Sequence, residues 1–431
     1  MKPIDRVSAI NRYLQRNGSG PVEVLPDPDP DLFLCVVIPA YKEDDLLSAI
    51  QALLACDPPE VSWEILVHVN YPENADETAK LTSILSDRLV RDFAKSLKGR
   101  EDVRIYSLLS KGLPSKHAGV GLARKIGMDV AVGRMAQVNQ PDGVLVAFDA
   151  DASCSRNYLL EIVRFYRDQL SAQTANIYFE HPLEVAPGKE NRSIAEYELY
   201  LRYFRLALEQ AGHPHAIHTV GSSFTVRADA YARAGGMGRH KAGEDFYFLH
   251  KCLLLRNFYE INTVSVFPSA RESDRVIFGT GATIIKQNAT GVGLEVYDLD
   301  SFTPLNRLFS RAKSYFASPE LFLADLDSWQ ELYPSLSGFL HEQDAPSEIA
   351  RMIRDSASIA SFITKFFAWF NVFRVLRYLN QVHVSDYSKK PVLEEACRLA
   401  TQSGYSVGAD VVSMLQIYRD IDRKRGVRRI L

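Results

Sequence analysis

Apolar residues along this chain gather first into short unbroken runs and then into runs spaced every three or four positions, and the two kinds alternate. "LFLCVVIPA" is continuous and of strand length, and "DDLLSAIQALLA" after it places Leu46, Ile50, Leu53 and Leu54 on one helical face. The alternation repeats with "WEILVHV" before "DETAKLTSILSDRLVRDFAKSL", "DVRIYSLL" before "GVGLARKIGMDVAV", and "GVLVAFD" before "NYLLEIVRFYRDQL". Strands of this kind, each followed by a helix, predict an α/β fold: a mostly parallel sheet with helices on both faces. A less regular region follows, with "ANIYFEHPL", a long helix through "IAEYELYLRYFRLALEQAG", the strand-like "HTVGSSFTV" and a helix after "AGED". From about Ser301 strand patterns vanish and helical periodicity, as in Ile349, Ile353, Ile359 and Ile363, indicates a helical appendage. The expected division is residues 1–30 as a helix and Pro- and Gly-bearing linker, 31–290 as the α/β domain, and 291–431 as a helical C-terminal region.

Composition narrows the function classes. Net charge is −3 and the pI about 6.4, so no global basic field points to nucleic acid. Cys35, Cys56, Cys154, Cys252 and Cys397 are widely scattered and form no CxxC pair, which suits free, buried thiols in a reducing compartment. The segment "MKPIDRVSAINRYLQRNGSG" lacks the apolar core of a signal peptide. "SIASFITKFFAWFNVFRVLRYL" is interrupted by Lys365, Arg374 and Arg377, so it reads as a core helix or, in the alternative, an interfacial one. The expectation is a cytoplasmic protein, with peripheral contact at the inner face of a membrane through the C-terminal helices as the variant of it.

"GVLVAFDADASCSRNYL" ends an apolar run on Asp149 and Asp151. On a strand, residues i and i+2 point to the same side, so two like charges meet there, and Mg²⁺ or Mn²⁺ is their natural compensator. The competing reading is that aspartates favour turns and that Asn157 caps the next helix. In an open α/β sheet ligands bind beyond the carboxyl ends of the strands, where strand order reverses. The loops at Pro39 to Glu43, at Asn70 and at Asp149 are therefore candidates for one shared site.

"VVIPAYKEDD", "FDADAS", "GSSFTVRADAYARAGGM" and "AGEDFYFLHKCLL", in that order between Leu32 and Gly281, resemble the family 2 glycosyltransferases of the GT-A fold, a Rossmann-like sheet. The resemblance implies a nucleotide-diphosphate sugar donor, a divalent metal held by an Asp-x-Asp motif, and transfer to an acceptor that is a sugar, a lipid-linked molecule or a small molecule. It assigns the metal to Asp149 and Asp151, with Asp151 the stronger ligand and Asp149 also facing the ribose. It lays Pro39, Ala40 and Tyr41 against the nucleoside, with Glu43 near its base or ribose, although beside Asp44 and Asp45 Glu43 also reads as an acid at a helix start. Asn70 stands where many members carry an aspartate.

Among Lys111, Lys116, Arg124 and Lys125 in "SKGLPSKHAGVGLARK", Lys116 is the expected diphosphate contact, and Arg271 and Arg275 in "SARESDRVIFGTG" are expected to close over the donor. Asp245 of "GED" occupies the family's base position, in a helix start that favours its ionised form, and Glu244 supports it. Helix capping is the plain alternative for both acids. No QxxRW motif follows, so single-sugar, non-processive transfer is expected, and the resemblance implies that it is inverting. A retaining enzyme similar to mannosylglycerate or glucosyl-phosphoglycerate synthases, and a non-catalytic nucleotide-sugar-binding module, are the alternatives. "HPHAIH" lacks a cysteine or carboxylate at zinc spacing, and Tyr197, Tyr200 and Tyr203 at helical spacing read as core.

Overall fold

The computed structural model describes residues 3–18, 23–43, 45–97, 99–186, 189–239, 243–270 and 293–430. The chain forms two compact units, Met1–Ile194 with Thr219–Lys286 and Asp420–Leu431, and Ala195–His218 with Gln287–Arg419. The sequence boundaries at 30 and 290 divide the chain differently. The first unit takes in the N-terminal helix and recovers residues 420–431, and the second begins inside the long helix after Ile194.

In the first unit the four apolar runs become β1 (Leu32–Ala40), β2 (Ser62–Pro72), β3 (Val103–Leu113) and β4 (Val144–Ala147). The further strands are β5 (Ser153–Cys154), β6 (Thr174–Phe179), the paired β7 (Glu184–Ala186) and β8 (Lys189–Glu190), β9 (Phe224–Arg227) and β10 (Phe258–Phe267). β11 (Glu295–Val296) and β12 (Lys390–Pro391) pair within the second unit, and β13 (Val427–Arg429) returns to the first. Among the described residues a nine-stranded sheet runs β13-β10-β6-β9-β4-β1-β2-β3, with β5 paired to β10. β3, β2, β1 and β4 are mutually parallel, as are β6 and β10. β9 is antiparallel to both its neighbours, and β13 is antiparallel to β10.

Helices α1 (Pro3–Asn17), α2 (Leu46–Leu54), α3 (Glu77–Ser96), α4 (Val120–Gln137), α5 (Tyr158–Asp168), α6 (Arg192–Gln210), α7 (Ala228–Arg233) and α8 (Glu244–Leu253) complete the regular elements up to Leu253. The period-two split of β1 explains the two faces. Leu34, Val36 and Ile38 join Trp63, Ile65, Val146 and Phe148 in a core with Ile50 of α2 and Ile162 of α5. The other face takes α4, whose Gly127 lies so close that a Cβ there would meet Val37 Cγ1 at 2.5 Å.

This second face is polar where the pattern promised apolar residues. Arg134 of α4 donates to Glu64 of β2 at 2.6 Å, Lys125 donates to Asp129 at 2.7 Å, and the Tyr13 hydroxyl of α1 donates to Asp129 at 2.7 Å, all buried. Each buried charge is therefore matched by a partner, the condition under which burial is tolerated. The N-terminal helix is anchored in the same way, Arg6 reaching Asp229 at 2.9 Å and Asp142 at 2.6 Å.

The second unit is mainly helical, as expected of residues beyond Ser301, and includes helices Thr303–Ala317, Glu320–Leu332, Pro334–Glu342, Ala345–Arg354 and Val392–Gln402. The apolar segment around Phe366 divides into Ile359–Trp369 and Val372–Ser385, bent by 50°. Among the described residues no single helix is long and apolar enough to cross a membrane, while this bent pair passes by length and composition. Phe362, Phe366 and Phe367 of the pair are buried. Glu198 is fully buried between Arg202 and Arg419, each donating at 2.8 Å. His213 and His215 belong to this aromatic interior: the His213 ring lies 5.3 Å from Phe309 and 5.2 Å from Phe367. Tyr203 is likewise core, its hydroxyl donating to the Tyr297 carbonyl at 2.7 Å. Cys35, Cys56, Cys154, Cys252 and Cys397 are free, with Cys56 and Cys154 Sγ atoms 3.5 Å apart.

Candidate active site

Strand order reverses at β1: the chain builds β2 and β3 to one side, then crosses to place β4 on the other. The carboxyl ends of β1 and β4 thus flank the crevice where α/β sheets bind ligands. β2 is parallel to both, so Asn70 reaches the same rim, and because β9 runs the other way the residues just before it arrive there too.

At the end of β1, Pro39 and Ala40 pair with His68 and Val69 of β2. Asn70 Nδ2 donates to the Ala40 carbonyl at 3.0 Å, so it braces two strand ends. Tyr41 is half-buried, with Lys42 Nζ 5.6 Å from its ring centroid. Lys42, at φ 51°, turns the chain away from the strand and approaches Asp76 at 3.8 Å. The Glu43 carbonyl accepts from Ser86 Oγ of α3 at 3.4 Å.

The aspartate pair differs from the strand picture. β4 ends at Ala147, and Asp149 to Ala152 form a turn closed by the Ala152 N–H donating to the Asp149 carbonyl at 3.2 Å. Period-two alternation therefore does not govern Asp149 and Asp151. Phe148 still donates its N–H to Val37 at 3.1 Å, so the chain leaves the sheet directly beside the end of β1.

Asp149 accepts from Arg124 Nη2 at 2.6 Å, and the other arm of the same guanidinium pairs with Glu244. Arg124 sits in the first turns of α4, 25 residues from Asp149 and 120 from Glu244 in sequence, with its side chain 2% exposed. One buried cation thus joins the Asp-x-Asp turn to the Gly-Glu-Asp helix start. Gly221, just before β9, lies flat against it: a Cβ there would sit 3.0 Å from Nη2 and 3.2 Å from Cζ. Two carboxylates hold the two terminal nitrogens of the guanidinium and a glycine lies against it, which confines its plane.

Glu244 and Asp245 open α8, and Gly243 before them adopts φ 71°, a left-handed conformation that glycine takes without cost. Asp245 Oδ1 accepts from the Phe246 N–H at 2.7 Å. The helix start alone would lower this carboxyl, as the sequence suggested, but burial and then the neighbouring Glu244 charge outweigh it and push it up to about 7. Glu244 is also raised, chiefly by burial and against the pull of Arg124.

Lys116 lies exposed in the turn before α4, where His117 and Ala118 donate to the Pro114 carbonyl at 2.8 Å. Arg271 and Arg275 lie outside the described residues. Of the basic cluster, it is Arg124 rather than Lys116 that the fold brings to the carboxylates. Its signal in the sequence was a charge in the interior of a helix whose neighbours, Lys125, Asp129 and Arg134, are buried as well.

Among the described residues no group of three or more His, Cys, Asp or Glu side chains could hold a metal by itself. The carboxylates that the turn supplies are those of Asp149, whose Oδ1 already accepts from Arg124, and Asp151. Such a set fits Mg²⁺ or a similar hard ion, which commonly takes one or two carboxylates and completes its shell with substrate phosphates and water.

No protein-family model matches the chain, and no curated protein matches it. Among solved structures it is similar to TarS 1–349 of S. aureus in complex with UDP-GlcNAc, at 12% identity over 80% of this chain and 92% of that one, with a TM-score of 0.39. The mannosyltransferase PcManGT of Pyrobaculum calidifontis, in complex with GDP-Man and Mn²⁺, shares 14% identity over 98% of this chain and 93% of its own, at 0.32. GalNAc-T7 with UDP, GalNAc and Mn²⁺ shares 12% over 67% and 51%, at 0.35. These are glycosyltransferases, but scores below 0.5 leave the chemistry of this chain to be derived from its own site.

Proposed function

We propose that the protein is a metal-dependent glycosyltransferase of GT-A type, which moves a single sugar from a nucleoside diphosphate to an acceptor hydroxyl with inversion. The observation that carries this reading is the convergence of the Asp-x-Asp turn and the Glu244–Asp245 helix start on Arg124, at the point where strand order reverses. Asp149 and Asp151 would hold Mg²⁺ or Mn²⁺, which when bound supplies Lewis-acid stabilisation of the charge growing on the departing diphosphate. The Pro39–Glu43 loop and Asn70 line the nucleoside side of the same rim.

Asp245 is the proton acceptor. A general base works best when its pKa lies near the operating pH, and burial beside Glu244 brings the Asp245 carboxyl into that range. Arg124 holds Glu244 and Asp149 on the two arms of one guanidinium, and so orients both ends of the site.

The test is a thermal-shift screen against UDP-, GDP- and dTDP-sugars with and without Mn²⁺, followed by NMR of the product with the stabilising donor. Expected are a rise in melting temperature for one nucleotide class that depends on the metal, and an inverted anomeric centre. No shift with any of the donors overturns the assignment, and retained configuration overturns the role of Asp245.

A further inference from the structure

Buried free cysteines ordinarily pack as small hydrophobes, and Cys35 and Cys252, both fully buried, do so. Cys56 and Cys154, 98 residues apart in sequence, are placed differently. Cys56 closes the last turn of α2, its N–H donating to the Leu53 carbonyl at 3.2 Å. Cys154 is partly exposed on β5, three residues beyond Asp151, and pairs there with Val266 of β10. Their two segments are locked side by side without any bond between the sulfurs: the Asp57 N–H donates to the Arg156 carbonyl at 2.7 Å, and Arg156 Nε donates to Asp57 at 2.8 Å. That double tie holds the Sγ atoms 3.5 Å apart. The Cys56 sulfur also faces the start of α5, and a helix N-terminus favours a thiolate. Its thiol is held below the ordinary value, first by the hydrogen bond from Cys154 and then by the Leu159 and Tyr158 N–H groups of that first turn, against burial and the Asp57 charge. The other four thiols are all raised, Cys154 by the same hydrogen bond and Cys35, Cys252 and Cys397 by burial.

We propose that Cys56 and Cys154 form a redox-active dithiol, Cys56 the nucleophile and Cys154 its resolving partner, which a peroxide converts to a disulfide bracing the end of α2 against the strand that leaves the Asp-x-Asp turn. The Cys56 thiolate attacks one oxygen of hydrogen peroxide and breaks the O–O bond, so that its sulfur becomes a sulfenic acid and the other oxygen leaves as hydroxide, which takes up the proton Cys56 had lost. The Cys154 sulfur then attacks the sulfenic sulfur, the S–O bond breaks, and the hydroxyl departs as water with the Cys154 proton. Two thiols are thereby oxidised by two electrons, and one peroxide is reduced to two waters. The sulfurs need only close to about 2 Å, a side-chain movement, because the backbones are already held by Asp57 and Arg156. The bond encloses β2, α3, β3, α4 and β4, a long loop of the kind whose unfolded state a cross-link restricts most.

The test treats the full chain with hydrogen peroxide, counts thiols after denaturation and maps the peptides without reduction. The count is expected to fall by two, from five to three, with Cys56 joined to Cys154, and dithiothreitol is expected to restore all five. The oxidised chain is expected to melt roughly 4–10 °C higher than the reduced one. Cys154→Ser should stop at a sulfenic acid on Cys56 that dimedone traps, and Cys56→Ser should consume peroxide at least about tenfold more slowly than the wild type. The peptide map of the wild type stands whether or not either variant folds. Five thiols surviving a peroxide dose that oxidises glutathione in the same buffer, a disulfide between any other two cysteines, an oxidised chain that melts no higher, or a folded Cys56→Ser chain that reacts as fast as the wild type overturns the proposal.

Discussion

Replacing Arg124 by methionine removes the one cation shared by Asp149 and Glu244 while keeping much of the side-chain volume. The Arg124–Glu244 pair is 2% and 3% exposed, so the loss leaves a buried carboxylate without its partner, a change that costs about 3–5 kcal/mol. Asp149 is 32% exposed and screened by water, so its separate share adds less than about 1 kcal/mol. For a unit of this size each kcal/mol lowers the melting temperature by roughly 2 °C, giving an expected drop of roughly 6–10 °C at pH 8. The sign of the pH dependence is fixed by Glu244. Its carboxyl already titrates above its ordinary value through burial, and without Arg124 it rises further. The folded state then holds a proton more tightly than the unfolded one, so stability is kept below the ordinary carboxylate range and lost as pH climbs through the raised value. The deficit should be smaller at pH 5.5 than at pH 8, and Arg124→Lys, which keeps the charge but cannot fork to two carboxylates, should fall between wild type and Arg124→Met. Differential scanning fluorimetry of the variants at both pH values reads this out. A drop below about 2 °C at pH 8, or an equal drop at both, refutes the view that Arg124 holds the site together.

Gly221→Ala presses a Cβ against a guanidinium held by two carboxylates, and should cost about 1–2 kcal/mol. In a double-mutant cycle that cost should largely disappear on the Arg124→Met background, and simple additivity in the melts would show that the glycine serves something else. Asp151→Asn should abolish metal-dependent donor turnover in a sugar-nucleotide hydrolysis assay; wild-type turnover would remove Asp151 from the metal. Asp245→Asn should keep donor affinity, measured by calorimetry, and lose transfer by about 10²–10⁴-fold. With the wild type, kcat/KM for transfer should rise with pH to a plateau above a limb at about 7, since the base must be ionised, and Glu244→Gln should move that limb to lower pH by removing the like charge. A limb that stays in place would detach the titration from this pair.

The parallel core of the fold was legible because β1 and β4 are unbroken apolar runs, β2 and β3 keep an apolar face, and each is followed by a helix of the right period. β10 is harder to read: Glu260 interrupts its apolar run, and its buried carboxylate is matched by Arg428, 168 residues further on, at 2.7 Å. Short-range pattern cannot anticipate so distant a partner, and β13, three residues long, has no periodicity to show. The candidate site was legible at its ends and not at its centre. Asp149, Asp151, Glu244 and Asp245 stand out in sequence as acids after a strand and at a helix start. Arg124 sits in a run of basic residues that resembles a solvated surface, and only the packing of α4 beneath the rim shows that it faces carboxylates. The same cause hides Glu64 and Asp129, whose partners Arg134 and Lys125 lie on that helix.

The backbone passes between the two units four times, at residues 194, 218, 286 and 419. No single proteolytic nick can therefore release either unit intact, since each unit is assembled from segments that are separate along the chain. Truncating the chain before residue 420 would likewise strip β13 from the sheet and take Arg428 away from Glu260. Activity should be sought in the whole polypeptide, and interchange with other proteins would have to respect all four seams.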